Sequence, residues 1–181
     1  MPIHLENCRS QFPITSSTIY LNHAAVAPIP TVVRDAITAH LEDVQRFGVE
    51  HYDLWLKAIE NTRSAAAALL NACPDEIAFV KNTSEGISLF ATGLEWNKGD
   101  EVVSVEGEFP ANYNPWKLLE ERGVRLRLIP QHEGCIDLGQ IERSLTPRTK
   151  VVAVSFVQFL SGYRLDLDRL GQICEDRGVL L

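Results

Sequence analysis

From Glu76 onward the chain alternates between short runs rich in Val and Ile and longer segments with helical spacing. No other feature restricts its fold so strongly. "EIAFV" (76–80), "EVVSV" (101–105), "VRLRLIP" (124–130) and "KVVAVSFV" (150–157) read as strands, and "VLL" (179–181) opens another. Helical patterns cover about 84–96, 111–122, 137–145 and 166–178. Strand and helix in regular succession predict an α/β fold, a mainly parallel sheet flanked by helices. Ligands in such sheets sit beyond the carboxyl ends of the strands. Residues 82–86, 106–112 and 155–164 are therefore expected to converge. "VLL" runs to Leu181 without a closing loop, so the chain is expected to stop within a strand.

Upstream, the first thirty residues read as irregular, punctuated by Pro13, Pro28 and Pro30. "TVVRDAITAHLEDVQRF" (31–47) then sets Val33, Ile37, Leu41 and Val44 on one helical face, and a second helix is predicted over 50–72. At 181 residues and 45% hydrophobic, the chain can bury a core of ordinary size. A formal charge of −7 argues against nucleic acid or an anionic membrane surface as partner. No apolar run reaches the roughly 18 residues of a membrane span, and the N-terminus lacks the apolar core of a signal peptide. Cys8, Cys73, Cys135 and Cys174 are scattered without metal-ligand spacing, which predicts reduced, mostly buried thiols and a cytoplasmic protein.

Within "AFVKNTSEGISLFATGL" (78–94) the turn Thr83-Ser84-Glu85-Gly86 opens a helix. Free amides and the helix dipole there favour a phosphate, and two hydroxyls could add donors. A plain N-cap, with Thr83 or Ser84 capping and Glu85 or Glu76 complementing the dipole, explains the same residues. Phe109 in "EGEFPANYNPW" offers either a flat face for an aromatic ligand or a lid on the core. Arg164, after "SFVQFLSGY", could grip a carboxylate in a bidentate pair or lie at the surface. The lone His23 in "LNHAA" suits a structural role as well as a chemical one. Dinucleotide, P-loop, serine-hydrolase and zinc-protease motifs are all missing from the sequence.

Four blocks, taken together and in order, resemble the class V aminotransferase family of pyridoxal-phosphate enzymes, which includes cysteine desulfurases and isopenicillin-N-epimerase-like proteins. They are "YLNHAAVAPIP", "FVKNTSEGISLFATGL", "GDEVVSVEGEFPANYNPW" and "TKVVAVSFVQFLSGYRLDLDRLGQICEDRGVLL". The "EFPAN" and "SFVQFLSG" forms are most similar to the epimerase-like branch.

The resemblance implies the large domain of fold type I and pyridoxal 5'-phosphate as cofactor. Thr83, Ser84 and the backbone of Glu85 match the phosphate cup. Phe109 matches the residue stacked on the pyridine ring, where cysteine desulfurases tend to have His. Gln158 falls in the segment facing the ring's polar edge. Asn22 and His23 match the N-terminal segment that borders the substrate, and Arg164, by its capacity to grip a carboxylate, is taken as a further substrate-binding candidate.

By the same resemblance, residues 1–30 form a segment beside the active site and 31–181 part of the cofactor-binding domain. The Asp that meets the pyridine nitrogen and the Schiff-base Lys are expected beyond Leu181. None of Lys57, Lys81, Lys98, Lys117 and Lys150 has the family's context for that Lys. The implied activity is transamination, epimerisation or C–S or C–C cleavage of an amino acid by a homodimer. The alternatives are a non-catalytic domain that needs a partner chain, or an unrelated α/β domain holding another phosphate ligand.

Overall fold

The computed structural model describes residues 5–181, in two compact units, the first ending at Ala78 and the second Phe79–Leu181. In the first, the segment predicted to be irregular contains a short helix, α1 (Leu5–Ser10), and a 3-10 turn at Pro13–Ser16. Two long helices follow, α2 (Thr31–Phe47) and α3 (Tyr52–Leu70), the first preceded by Pro30 and the second closed by Asn71 in the left-handed conformation. The corner between them is fixed by Asp43. Its Oδ1 lies 2.6 Å from His51 Nδ1, and its Oδ2 accepts from Trp55 Nε1 at 2.9 Å. The stripe Val33, Ile37, Leu41 and Val44 forms as predicted, yet α2 buries none of its residues.

The second unit holds the sheet. Three parallel strands, β1 (Glu101–Val105), β2 (Arg125–Ile129) and β3 (Thr149–Val152), lie in the order β2-β1-β3. β1 is buried along its whole length because it is central and covered on both faces. Successive side chains alternate between those faces. Val102 and Val151 pack with Ala91 of α4 (Thr83–Gly93), Trp116 of α5 (Pro110–Leu118) and Leu119. Val103, Val105 and Val152 pack on the opposite face with Ile141 of α6 (Leu138–Ser144) and with Leu170 and Cys174 of α7 (Leu167–Asp176). This doubly wound arrangement confirms the α/β reading. Lys150 is the extra residue of a bulge, since Thr149 faces Glu101 and Val151 faces Val102. Its ammonium turns out to Asp100 at 2.9 Å.

Two predicted strands do not form. "EIAFV" joins no ladder among the described residues: Glu76 closes a 3-10 turn (Pro74–Glu76), Ile77 after it is extended, and extension without a paired neighbour is not a strand. "VLL" contributes one parallel bridge, Leu180 to Val151. The cysteine expectation also needs correcting: all four thiols are free, but only Cys174 is buried, while Cys8, Cys73 and Cys135 are exposed on short surface turns or helix ends. Among the described residues, no helix is long and apolar enough to cross a membrane.

Candidate functional site

The start of α4 separates two roles that the sequence left entangled. Asn82, not Thr83 or Ser84, is the cap: its Oδ1 accepts from Glu85 N at 2.9 Å, and its carbonyl accepts from Gly86 N. Glu85 folds back, its Oε2 accepting from Lys81 N at 2.7 Å and its other oxygen lying 3.7 Å from the Lys81 ammonium. Glu76 takes no part, because its carboxylate accepts from Cys73 N. With capping done elsewhere, the exposed hydroxyls of Thr83 and Ser84 bond to nothing among the described residues. The Glu85 amide, which the resemblance assigns to the cup, is already donated to Asn82.

The loop after β1 turns at Gly107, whose φ of 72° is natural for glycine. Phe109 then leads into α5, where Pro110 occupies the first turn as helix starts favour. The Phe109 ring is 50% exposed and meets Phe159 edge-on, centroids 5.2 Å apart. Its partner belongs to the hairpin after β3, closed by Gln158 N donating to Tyr163 O and by the bridge between Val157 and Arg164.

Glu108, which sequence reasoning passed over, joins the two loops. It is 7% exposed. Its Oε1 accepts from Ser155 N at 2.6 Å and Gln158 Nε2 at 2.8 Å. Its Oε2 accepts from Ser155 Oγ at 2.7 Å and Phe109 N at 3.2 Å. Gln158, at 1% exposure, spends its amide on Glu108 and on Gln131, so its side chain serves the clamp. The one sequence signal for Glu108 was its position just ahead of a Pro-initiated helix, where a carboxylate is favoured.

Two of the three predicted segments, 106–112 and 155–164, are thus bonded together. The third opens α4, which packs on α5 through Phe90 and Trp116 at 6.3 Å. A cleft of about 580 Å³ lies along this face, lined by Phe90, Asn112, Trp116 and Ala153 among others. Phe156 borders it and also a second cleft of about 560 Å³ that includes Arg164, whose side chain makes no hydrogen bond among the described residues. Asn22 and His23 belong to the first unit. There Tyr20 closes a local turn by donating to the carbonyls of Asn22 and Val26, and stacks edge-on with His23 at 5.2 Å. No group of three or more metal-ligating side chains occurs among the described residues.

Comparison with known proteins agrees with this fold. A protein named "Probable cysteine desulfurase" from Methanothermobacter thermautotrophicus is 36% identical over 180 residues, covering 97% of this chain and 45% of that protein. The solved structure of a C-DES variant with glycine covalently linked to its PLP cofactor superposes with a TM-score of 0.85 at 26% identity, over 93% of this chain and 46% of that one. The apo cysteine desulfurase from Thermococcus onnurineus NA1 gives 0.83 at 29% identity, over 96% and 45%. The chain spans about half the length of the relatives it matches. The family model described as aminotransferase class-V matches residues 19–181, and the chain belongs to that family.

Proposed function

We propose that this chain supplies the phosphate-binding turn and the ring-stacking loop of a pyridoxal 5'-phosphate enzyme that cleaves a C–S bond in a cysteine-like amino acid. The choice among amino-acid chemistries follows the names of its relatives, which include cysteine desulfurases and a cystine C–S lyase. The single observation that carries the cofactor reading is the pair of unpartnered hydroxyls, Thr83 and Ser84, on the first turn of an eleven-residue helix that Asn82 already caps. Polar groups left free while a neighbour does the capping suit an anion, and the first-turn amides of Thr83 and Ser84 add to the same field.

The residues fit the rest of the cofactor as well. Phe109 is half-exposed, and Phe159 packs against it in a T-shaped contact. Phenylalanine offers a surface but no proton, so proton transfer belongs to other groups. When bound, the cofactor supplies an electron sink for the bond broken at the substrate. Thr83 and Ser84 hold the phosphate, Phe109 sets the ring plane, and the unpaired guanidinium of Arg164 is available to a substrate carboxylate. Asn22 and His23 are assigned to the substrate on the family resemblance alone. The same reading makes the complete enzyme a cytoplasmic homodimer.

Titration with pyridoxal 5'-phosphate and with pyridoxal, followed by absorbance and fluorescence, tests the cofactor reading. The phosphorylated form should bind far more tightly. Equal affinity would remove the phosphate cup and the proposal with it. Formation of alanine or pyruvate from cysteine or cystine by the complete cofactor-loaded enzyme tests the reaction, with the cleaved sulfur read as sulfide once a thiol reductant is added. A second reading, a non-catalytic domain completed by another chain, draws on α2, which buries none of its residues. Sedimentation in the presence of cofactor separates the two, because the first reading requires binding without a foreign partner.

A further inference from the structure

Three acids are buried in the second unit, and they differ in what surrounds them. Asp100 faces Lys150 at 2.9 Å, and Glu101 faces Arg127 at 3.3 Å. Glu108 faces no cation among the described residues; its four partners are neutral donors. A buried carboxylate without a counter-charge is costly, and a fold that only needed two loops joined could use an apolar contact. The arrangement therefore calls for a reason beyond cohesion.

That reason lies in what the four bonds fix. Two go to the backbone of Phe109 and Ser155, and two to the side chains of Ser155 and Gln158. Together they set the chain immediately before Phe109 and the turn immediately before Phe159, the two rings that meet at 5.2 Å and 86°. We propose that Glu108 is a positioning residue, which presets the exposed face of Phe109 for a flat aromatic ligand by locking the loop after β1 to the turn that carries Phe159. The identity of that ligand as the pyridine ring rests on the function proposed above; the positioning itself does not.

The substitution Glu108→Gln is unusually selective here. An amide can keep its oxygen toward Ser155 N and Gln158 Nε2, where Oε1 now accepts two donors. Its NH₂ group then faces Ser155 Oγ, a hydroxyl that can rotate and accept, and Phe109 N, which cannot. The opposite flip sets the NH₂ against two donors. Glu108→Gln therefore keeps the clamp and frees Phe109.

The test places 4-fluorophenylalanine at position 109 and records its 19F resonance without ligand. In the parent protein the neighbouring Phe159 ring should displace the line from the value of an exposed fluorophenylalanine. Glu108→Gln should move it back toward that value while the circular dichroism stays unchanged. Affinity for pyridoxal 5'-phosphate should fall roughly tenfold, with affinity for inorganic phosphate unaltered. An unchanged 19F line in Glu108→Gln overturns the proposal. Should that variant fail to fold, Ser155→Ala, which removes one of the four donors, must shift the line in the same direction by a smaller amount, and an unmoved line again overturns it. A parent protein that shows the ring-displaced line but does not bind the cofactor would end the cofactor reading and leave the positioning role standing.

Discussion

Substitution at the head of α4 should separate holding the helix from holding the ligand. Asn82 makes the capping bond, so Asn82→Ala should cost about 1 kcal/mol of stability. For a unit of this size that corresponds to a fall in Tm of roughly 4–8 °C. Thr83→Val combined with Ser84→Ala removes two hydroxyls that bond to nothing among the described residues, so stability should stay within about 0.5 kcal/mol. If both hydroxyls donate to a phosphate, each bond to a charged group contributes about 1.5–3 kcal/mol. Taking the low end for both gives about 3 kcal/mol, a loss of a hundredfold or more in affinity. Thermal unfolding by circular dichroism reads the first quantity, and titration with pyridoxal 5'-phosphate against pyridoxal reads the second. The double variant should lose affinity for the phosphorylated form only. Affinity retained within about twofold would show that these hydroxyls do not touch the phosphate, whatever the stability data say.

Three further outcomes follow from other parts of the molecule. Leu170 is 0% exposed in the core beneath α7, so Leu170→Ala should destabilise by about 3–5 kcal/mol. Leu167→Ala on the same helix, at 37% exposure, should cost about 1 kcal/mol, and equal costs in urea unfolding would refute the packing assignment. In the α2–α3 corner, the bond to Asp43 raises the His51 pKa above its usual 6.5, and the bonds from His51 and Trp55 lower Asp43 below 3.8. The contribution of His51 is complete below 6.5 and lost as pH rises through its raised pKa; that of Asp43 is complete above 3.8 and lost as pH falls through its lowered one. The pair therefore holds the corner fully between those values. A His51 titration by NMR should return to the ordinary range in Asp43→Asn, and no change there would dismiss the pair. Finally, Gly134 has a φ of 77°, and a Cβ on it would lie 2.7 Å from Ser161 Cβ. Gly134→Ala should destabilise by about 1–3 kcal/mol in urea unfolding, and a neutral result would mean that the Ser161 loop yields freely.

The parts of this fold that sequence discloses are those whose causes are local. "EVVSV" announces a central buried strand because every position must be accommodated on one face or the other. The helical spacing of 166–178 likewise announces α7, whose start is fixed by the Asp166 side chain accepting from Arg169 N three residues on. What stays hidden is decided by distant partners. "EIAFV" has the composition of a strand but needs a neighbouring strand that composition does not reveal. The choice of Asn82 over Thr83 as cap turns on one rotamer. Glu108 meets Ser155 and Gln158 at separations of 47 and 50 residues. In the sequence it is one more acid in a loop, and only the tertiary pairing shows that it is buried.

That contrast predicts how the two halves of the site respond to damage elsewhere. The turn at Asn82–Gly86 is held by bonds spanning three or four residues and depends little on the far face of the sheet. The Phe109 face depends on the hairpin after β3, and Leu165 N anchors that hairpin by donating to Phe156 O at 2.9 Å. Leu165 is itself 2% exposed in the same core as Leu170. Loosening that core therefore reaches Phe109 through Phe156, Ser155 and Glu108, while the α4 turn is untouched. Leu170→Ala, besides its cost in stability, should weaken binding of pyridoxal 5'-phosphate more than binding of inorganic phosphate. Parallel losses for both ligands would show that the turn and the ring platform are one cooperative structure, not two assembled by separate means.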